Sequence, residues 1–256
     1  MSALLEVTDL RKGYGPIEVL RGVSMTAAAG EVFAIIGPNG AGKTTMFKVM
    51  TGELPCTSGT IRFHERDITQ MPAHERVRLG FGRTFQVARV FHDFSVLENA
   101  IAAVEARRRH TGETLGSRWA WAPAAAVRDE AMGLLADVRL DSLAGQGARF
   151  LSHGDKKRLE FVIALAGRPT LLMLDEPTAG MSPSDRSEIA QLISRIQRER
   201  GITVVMTEHD MDVVFGLAQR IMVLNYGEVV ASGTVDEVRA NPKVREVYLG
   251  KEMVGA

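Results

Sequence analysis

Residues Gly37-Pro38-Asn39-Gly40-Ala41-Gly42-Lys43-Thr44 have the spacing GxxxxGK[ST] of a loop that holds phosphate groups. A continuous apolar run, Val32-Phe33-Ala34-Ile35-Ile36, precedes them and Met46-Phe47-Lys48-Val49-Met50 follows, so the expected order is buried strand, glycine-rich turn, helix. Glycines let backbone N–H groups wrap phosphates, and the start of the helix adds partial positive charge. Lys43 is then set to reach the β and γ phosphates, and Thr44 to offer its hydroxyl to Mg²⁺. Thr45, next in the same turn, joins the expected nucleotide-binding set.

Two further strand ends carry polar residues. Asp175 and Glu176 follow the run Leu171-Leu172-Met173-Leu174, and His209 lies just past Ile202-Thr203-Val204-Val205-Met206. Open α/β sheets place their ligands at such carboxyl ends. Asp175 is expected to hold the metal, directly or through water, and Glu176 to orient or deprotonate the attacking water. A neutral His209 imidazole could bond both the γ phosphate and the Glu176 carboxylate. The segment Leu151-Ser152-His153-Gly154-Asp155 contains the residue types of a hydrolase triad, but neighbours on one turn cannot set a His ring between hydroxyl and carboxylate. Ser152 with Asp155 three positions later, ahead of Leu159, Phe161, Val162 and Ile163, reads instead as a capping box that opens a helix, and a helix start binds anions.

The elements that must position these residues follow from the pattern around them. Strands alternating with helices, including a helix over Asp185 to Arg200, imply an α/β fold with a parallel sheet. Leu5-Glu6-Val7-Thr8 and Ile17 to Met25, around Gly13, Gly15 and Pro16, suggest a short antiparallel sheet near the start. Val96 to Arg109 and Pro123 to Leu140 read as Ala-rich helices. Residues 88–167 are therefore expected to form a helical subdomain inserted into a core made of residues 1–87 and 168–256, all within one domain. After His209 come another helix and a hairpin, Ile221 to Leu224 with Glu228 to Ala231, turning at Asn225-Tyr226-Gly227. The run Arg107-Arg108-Arg109-His110 reads as a solvated helix end.

Composition sets the outer bounds. The chain has 256 residues, 45% hydrophobic, enough for a sizeable core. Lys plus Arg and Asp plus Glu each number 31, so no overall basic field draws nucleic acid or an acidic membrane surface, and any anion site must be local. The single cysteine, Cys56, excludes an internal disulfide and a cysteine-ligated zinc site, in agreement with a reducing cytosol. Glu6 and Asp9 interrupt the start of the chain, which reads as a strand and not a secretory signal. No apolar stretch approaches the ~20 residues needed to cross a bilayer.

The order of Gly37 to Thr44, Gln86 within Arg83-Thr84-Phe85-Gln86, Leu151 to Asp155, Leu171 to Pro177 and His209 resembles the ATPase subunit of ATP-binding cassette (ABC) transporters over nearly the whole chain. The resemblance implies a P-loop NTPase fold with a RecA-like parallel sheet core, an N-terminal antiparallel β subdomain and an inserted α-helical subdomain. It implies ATP and Mg²⁺, a homodimer or heterodimer with a second ABC ATPase, and integral membrane permease subunits. It further implies an indirect role for a periplasmic or extracellular substrate-binding protein, no nucleic-acid partner, and a peripheral place on the cytoplasmic face of the inner or plasma membrane. Ser152, His153, Gly154 and Asp155 stand where the family's LSGGQ-type signature caps ATP held on the second subunit, with the Ser152 hydroxyl and the Gly154 amide as donors. Tyr14 stands where an aromatic stacks on adenine, and Gln86 where a glutamine touches Mg²⁺ and water and reports nucleotide state to the membrane partner. Ala179-Gly180-Met181-Ser182-Pro183 matches the loop that contacts the opposite subunit.

His153 and Asp155 replace the family's usual glycine and glutamine, and Ser182 its usual aspartate. Asp155 in the first helical turn competes with phosphate for the same dipole, so slow or partner-dependent hydrolysis is expected; a protonated His153 offsets this. Arg83 to Gln86, Thr178 to Pro183 and the ending Asn241-Pro242-Lys243-Val244-Arg245-Glu246-Val247-Tyr248-Leu249-Gly250 are similar to ATPases of bacterial branched-chain amino acid importers, with urea and amide importers close by. The alternatives are a soluble ABC ATPase acting on DNA or ribosomes and a regulator that binds ATP without turnover. Trp119 and Trp121, inside the insert, are expected to pack between helices.

Overall fold

The computed structural model describes residues 3–84, 89–113 and 124–246. The chain opens with β1 (Ala3–Tyr14) and β2 (Ile17–Ala28), then β3 (Val32–Ile36), α1 (Lys43–Met50), β4 (Ser58–Phe63), β5 (Arg66–Asp67), α2 (Ala73–Arg78) and β6 (Phe81–Arg83). Three helices follow, α3 (Val96–Thr111), α4 (Ala125–Asp137) and α5 (His153–Ala166). Then come β7 (Leu171–Asp175), α6 (Pro183–Arg200), β8 (Thr203–Thr207), α7 (Met211–Leu217), β9 (Arg220–Asn225), β10 (Glu228–Thr234), α8 (Val235–Ala240) and α9 (Pro242–Val244).

Two sheets result. One has strand order β2-β1-β4-β5 and is antiparallel; the other has order β10-β9-β3-β8-β7-β6, with β9, β3, β8, β7 and β6 parallel and β10 antiparallel at one edge. Every residue of β3, β7 and β8 is buried, as their unbroken apolar runs require. Alternation divides each strand between two cores. Ala34, Ile36, Leu172, Leu174, Val204 and Met206 face the helices α3 to α6, while Phe33, Ile35, Leu171, Met173 and Val205 face α1 and the antiparallel sheet.

Several elements differ from the sequence-based expectation. The first two strands extend to 12 residues each and recruit β4 and β5, because β1 pairs with β4 on its other side from Leu5↔Phe63 to Arg11↔Ser58. Strand β6 was not expected; its three residues are too few to display a period, and pairing with β7 holds it in the sheet. The basic run also departs from a solvated helix end. Arg107 and Arg108 are nearly buried and converge on Glu130 of α4, at 2.9 and 2.7 Å, with Arg168 reaching the same carboxylate at 2.9 Å. Gln86, Trp119, Trp121 and the residues from Val247 onward lie outside the described residues.

Arg76 of α2 is the largest fully buried side chain, and its guanidinium donates to the carbonyls of Met71 (2.8 Å), Val49 (3.0 Å), Met50 (2.5 Å) and Thr69 (3.1 Å). Burial pushes its pKa down to about 10, so the group stays charged at neutral pH and satisfies the last carbonyls of α1. Arg76→Met keeps the apolar stem but leaves these oxygens without donors; urea denaturation should report a loss of about 2–4 kcal/mol.

Candidate active site at the carboxyl edge of the parallel sheet

Strand β3 ends at Ile36, and the chain turns at Gly37, where a Cβ would stand 2.1 Å from the Leu224 carbonyl oxygen and no larger residue fits. Gly42, at φ 102°, N-caps α1 with no side-chain acceptor, so the first-turn N–H groups of α1 have no capping side chain. Lys43 is buried, and its Nζ donates to the carbonyls of Gly37 (2.7 Å) and Pro38 (3.1 Å). Burial lowers its pKa, opposed by the charges of Glu176 and Asp175. Asn39, Gly40, Ala41, Thr44 and Thr45 line a cleft of about 200 Å³ together with Gly42, Lys43, Val19 and Glu176. The loop is thus closed on itself by its lysine, with amide donors and one cation around a concavity the size of a few phosphate oxygens.

The opposite wall comes from β7 and β8, where Asp175 and Thr207 are paired in register. The Thr207 hydroxyl donates to Asp175 Oδ1 at 2.8 Å, and the Glu176 N–H donates to both the carbonyl and the hydroxyl oxygen of Thr207 at 3.1 Å. Glu176 itself has φ 46°, a left-handed conformation unusual for a side-chain-bearing residue, which turns its carboxylate off the strand path. It meets His209 Nε2 at 2.6 Å. Strand order places β8 between β3 and β7, so the cleft, the Asp175–Glu176 pair and His209 share one edge. Glu208, 2% exposed, accepts from the N–H and hydroxyl of Thr178 and from the N–H of His209. Sequence reading passed over Thr207 and Glu208 because neither belongs to a spaced motif; the one available signal was two polar residues at the end of a buried run.

The Ser152 segment forms a separate group. Ser152 N-caps α5 and accepts from the Asp155 N–H at 3.1 Å, but the expected capping box is only half formed. The Ser152 hydroxyl donates to Asp155 Oδ2 at 2.7 Å, the shorter aspartate side chain engaging the hydroxyl where a glutamate reaches the backbone. His153 is exposed and does not stand between them, which removes the triad. Ser182 caps α6 in the same manner, accepting from the Asp185 N–H at 3.3 Å and donating to its carboxylate at 2.8 Å. The two helix starts are neighbours, since a Cβ on Gly154 would lie 3.9 Å from Asp185 Cγ and one on Gly180 would lie 4.0 Å from His153 Nε2. Among the described residues no hydrogen bond joins Ser152, His153, Gly154 or Asp155 to the Lys43 cleft. Tyr14, 47% exposed at the end of β1, lies under Lys12 Nζ at 5.2 Å from the ring centre and is not part of the cleft wall.

A parallel sheet with this loop at its carboxyl edge defines a nucleotide-binding P-loop ATPase. Residues 20–179 match the ABC transporter family, and residues 228–254 match the branched-chain amino acid ATP-binding cassette transporter family. The chain is 37% identical over 254 residues to the high-affinity branched-chain amino acid transport ATP-binding protein LivG of Salmonella typhimurium, covering 97% of this chain and 98% of that protein. It is also 37% identical over 252 residues to the lipopolysaccharide export system ATP-binding protein LptB of Acidithiobacillus ferridurans, covering 98% and 99%. The solved ADP conformation of an ATP-binding cassette of an ABC transporter superposes with TM-score 0.84 at 30% identity, covering 98% of this chain and all of that one. The chain therefore belongs to the ABC transporter family as an ATP-binding subunit, an ATPase. No helix among the described residues is long and apolar enough to cross a membrane itself.

Thr207→Val preserves shape and packing but strips the hydroxyl that holds Asp175 and Glu176 together. The expected outcome is a fall in ATP turnover with a stability loss of about 1–3 kcal/mol, read by a coupled ATPase assay and by urea denaturation.

Proposed function

We propose that this chain is the ATPase subunit of an importer of branched-chain or other hydrophobic amino acids, and that ATP-driven closure of two such subunits powers transport. The observation that carries the cargo is the match of residues 228–254 to the branched-chain amino acid cassette family, which the LivG likeness supports over urea or amide import and over a soluble cassette acting on nucleic acid.

ATP occupies the cleft between Gly37 and Thr45, with Lys43 exchanging its two loop carbonyls for β and γ phosphate oxygens and Tyr14 beside the base. Asp175 and Thr44 offer hard oxygen donors, the ligand chemistry Mg²⁺ takes, and Asp175 is already oriented by Thr207. Gln86 completes this set. Mg²⁺ held by these oxygens would supply positive charge to offset that of the ATP phosphates. Glu176, aimed by its left-handed backbone and by His209, accepts the proton of the attacking water, and His209 bonds the γ phosphate. Ser152 and the Gly154 amide, with His153 and Asp155, face the nucleotide of the second subunit, whose residues 179–183 make the reciprocal contact. Contacts made only in the closed pair shift the population toward closure while ATP is present, and hydrolysis reverses it.

Glu176→Gln keeps the hydrogen bond to His209 but removes the base. Turnover should drop by about 100-fold or more and a dimer should appear by light scattering only with ATP and Mg²⁺. The same variant should fail to restore leucine, isoleucine and valine uptake to cells lacking the chain, where the unaltered protein succeeds. A persistent monomer at saturating ATP argues against the paired site, and uptake that never depends on the chain argues against the cargo. Asp155→Gln releases the Ser152 hydroxyl and removes a negative charge from the start of α5; turnover should rise about two- to fivefold. A decrease would mean that the carboxylate assists closure.

A further inference from the structure

A carboxylate removed from water is ordinarily matched with a cation, because its desolvation is otherwise uncompensated. Glu208 is 2% exposed, and among the described residues it forms no ion pair. Four uncharged donors surround it, and they are divided by oxygen. Oε1 accepts from the Thr178 N–H at 2.9 Å and the Thr178 hydroxyl at 2.5 Å; Oε2 accepts from the N–H groups of His209 at 2.9 Å and Asp210 at 3.5 Å. One oxygen therefore serves the loop that follows Glu176 and the other serves the loop that carries His209.

These two loops already meet at the Glu176–His209 bond, so the carboxylate closes a ring that runs from Glu176 through Pro177 to Thr178, across Glu208 to His209, and back to Glu176. Beyond Thr178 the chain turns tightly, with Ala179 N–H bonded to the Glu176 carbonyl and Met181 N–H to that of Thr178, at 3.1 and 3.3 Å. These two bonds tie the start of the 179–183 loop to Glu176 and Thr178. An apolar residue at position 208 would fill this space without the burden of a buried charge, but it could not tie both loops.

We propose that Glu208 is a positioning residue for ATP hydrolysis, coupling the loop over residues 179–183 to the placement of His209 against Glu176. The inference rests on the reading above that Glu176 and His209 serve the γ phosphate and its water. Glu208→Gln keeps size and one acceptor but presents an amide N–H₂ to one of the two loops, whose N–H groups cannot accept it.

The test is a double-mutant cycle in the full chain, Glu208→Gln against His209→Ala, with kcat and KM for ATP measured in each background. Glu208→Gln alone should lower kcat by about 10- to 100-fold with KM changed less than about threefold, and in the His209→Ala background it should add less than about twofold. Thr178→Val, which removes only the hydroxyl donor, should give a smaller loss with the same dependence on His209 and serves if Glu208→Gln does not fold. Equal losses in both backgrounds would make Glu208 merely structural and overturn the inference alone, as would an unchanged kcat in Glu208→Gln. A His209→Ala protein with unaltered turnover would instead sink the reading of the site, and the inference with it.

Discussion

The alignment of Asp175 with Thr207 across two parallel strands is the constraint on which the candidate site depends. With those residues in register, one hydroxyl can donate to the carboxylate of Asp175 and accept from the backbone amide of Glu176, so a single neutral group directs one acidic side chain and anchors the backbone of the next. A slip of one position would send Asp175 and Glu176 to the other faces and leave the hydroxyl buried among methyl groups. The register is protected because β7 and β8 are buried on both faces and alternate between two different cores. The geometry of the candidate site is a by-product of how tightly the sheet is packed.

Much of this was legible beforehand, for identifiable reasons. The loop from Gly37 to Thr44 announces itself because backbone amides can wrap phosphates only where several glycines occur at set intervals, and β3, β7 and β8 announce themselves because two buried faces demand an unbroken apolar run. What stayed hidden depends on pairing. Nothing in the chain order tells that β8 lies between β3 and β7, yet that adjacency brings His209 to Glu176. The same holds for Thr207, Glu208 and the guanidinium of Arg76, whose distant partners Asp175, Thr178 and Val49 lie 32, 30 and 27 residues away. A run of like charges looks solvated until the acidic residue that gathers part of it is folded against it, as Glu130 gathers Arg107 and Arg108.

The Ser152 segment shows one device serving two ends. As the cap of α5, Ser152 satisfies an N–H of the first turn and organises a helix that packs Leu159, Phe161, Val162 and Leu165 into the core. Its hydroxyl is meanwhile held by Asp155, and Arg158 stands 3.7 Å from that same carboxylate. The helix start is stable without any visitor. If the segment meets phosphate as proposed above, the arriving anion has to displace an internal one, Asp155, from the Ser152 hydroxyl. Ser182 and Asp185 repeat the arrangement at the adjacent helix.

Glu130 draws in Arg107 and Arg108 from the end of α3 and Arg168 from the link between α5 and β7. A planar carboxylate gripped from three directions resists shear in all of them, so α3, α4 and the trailing end of α5 are riveted together at a single point. Removal of Glu130 would therefore loosen all three attachments at once and take from Arg168 the carboxylate that holds it.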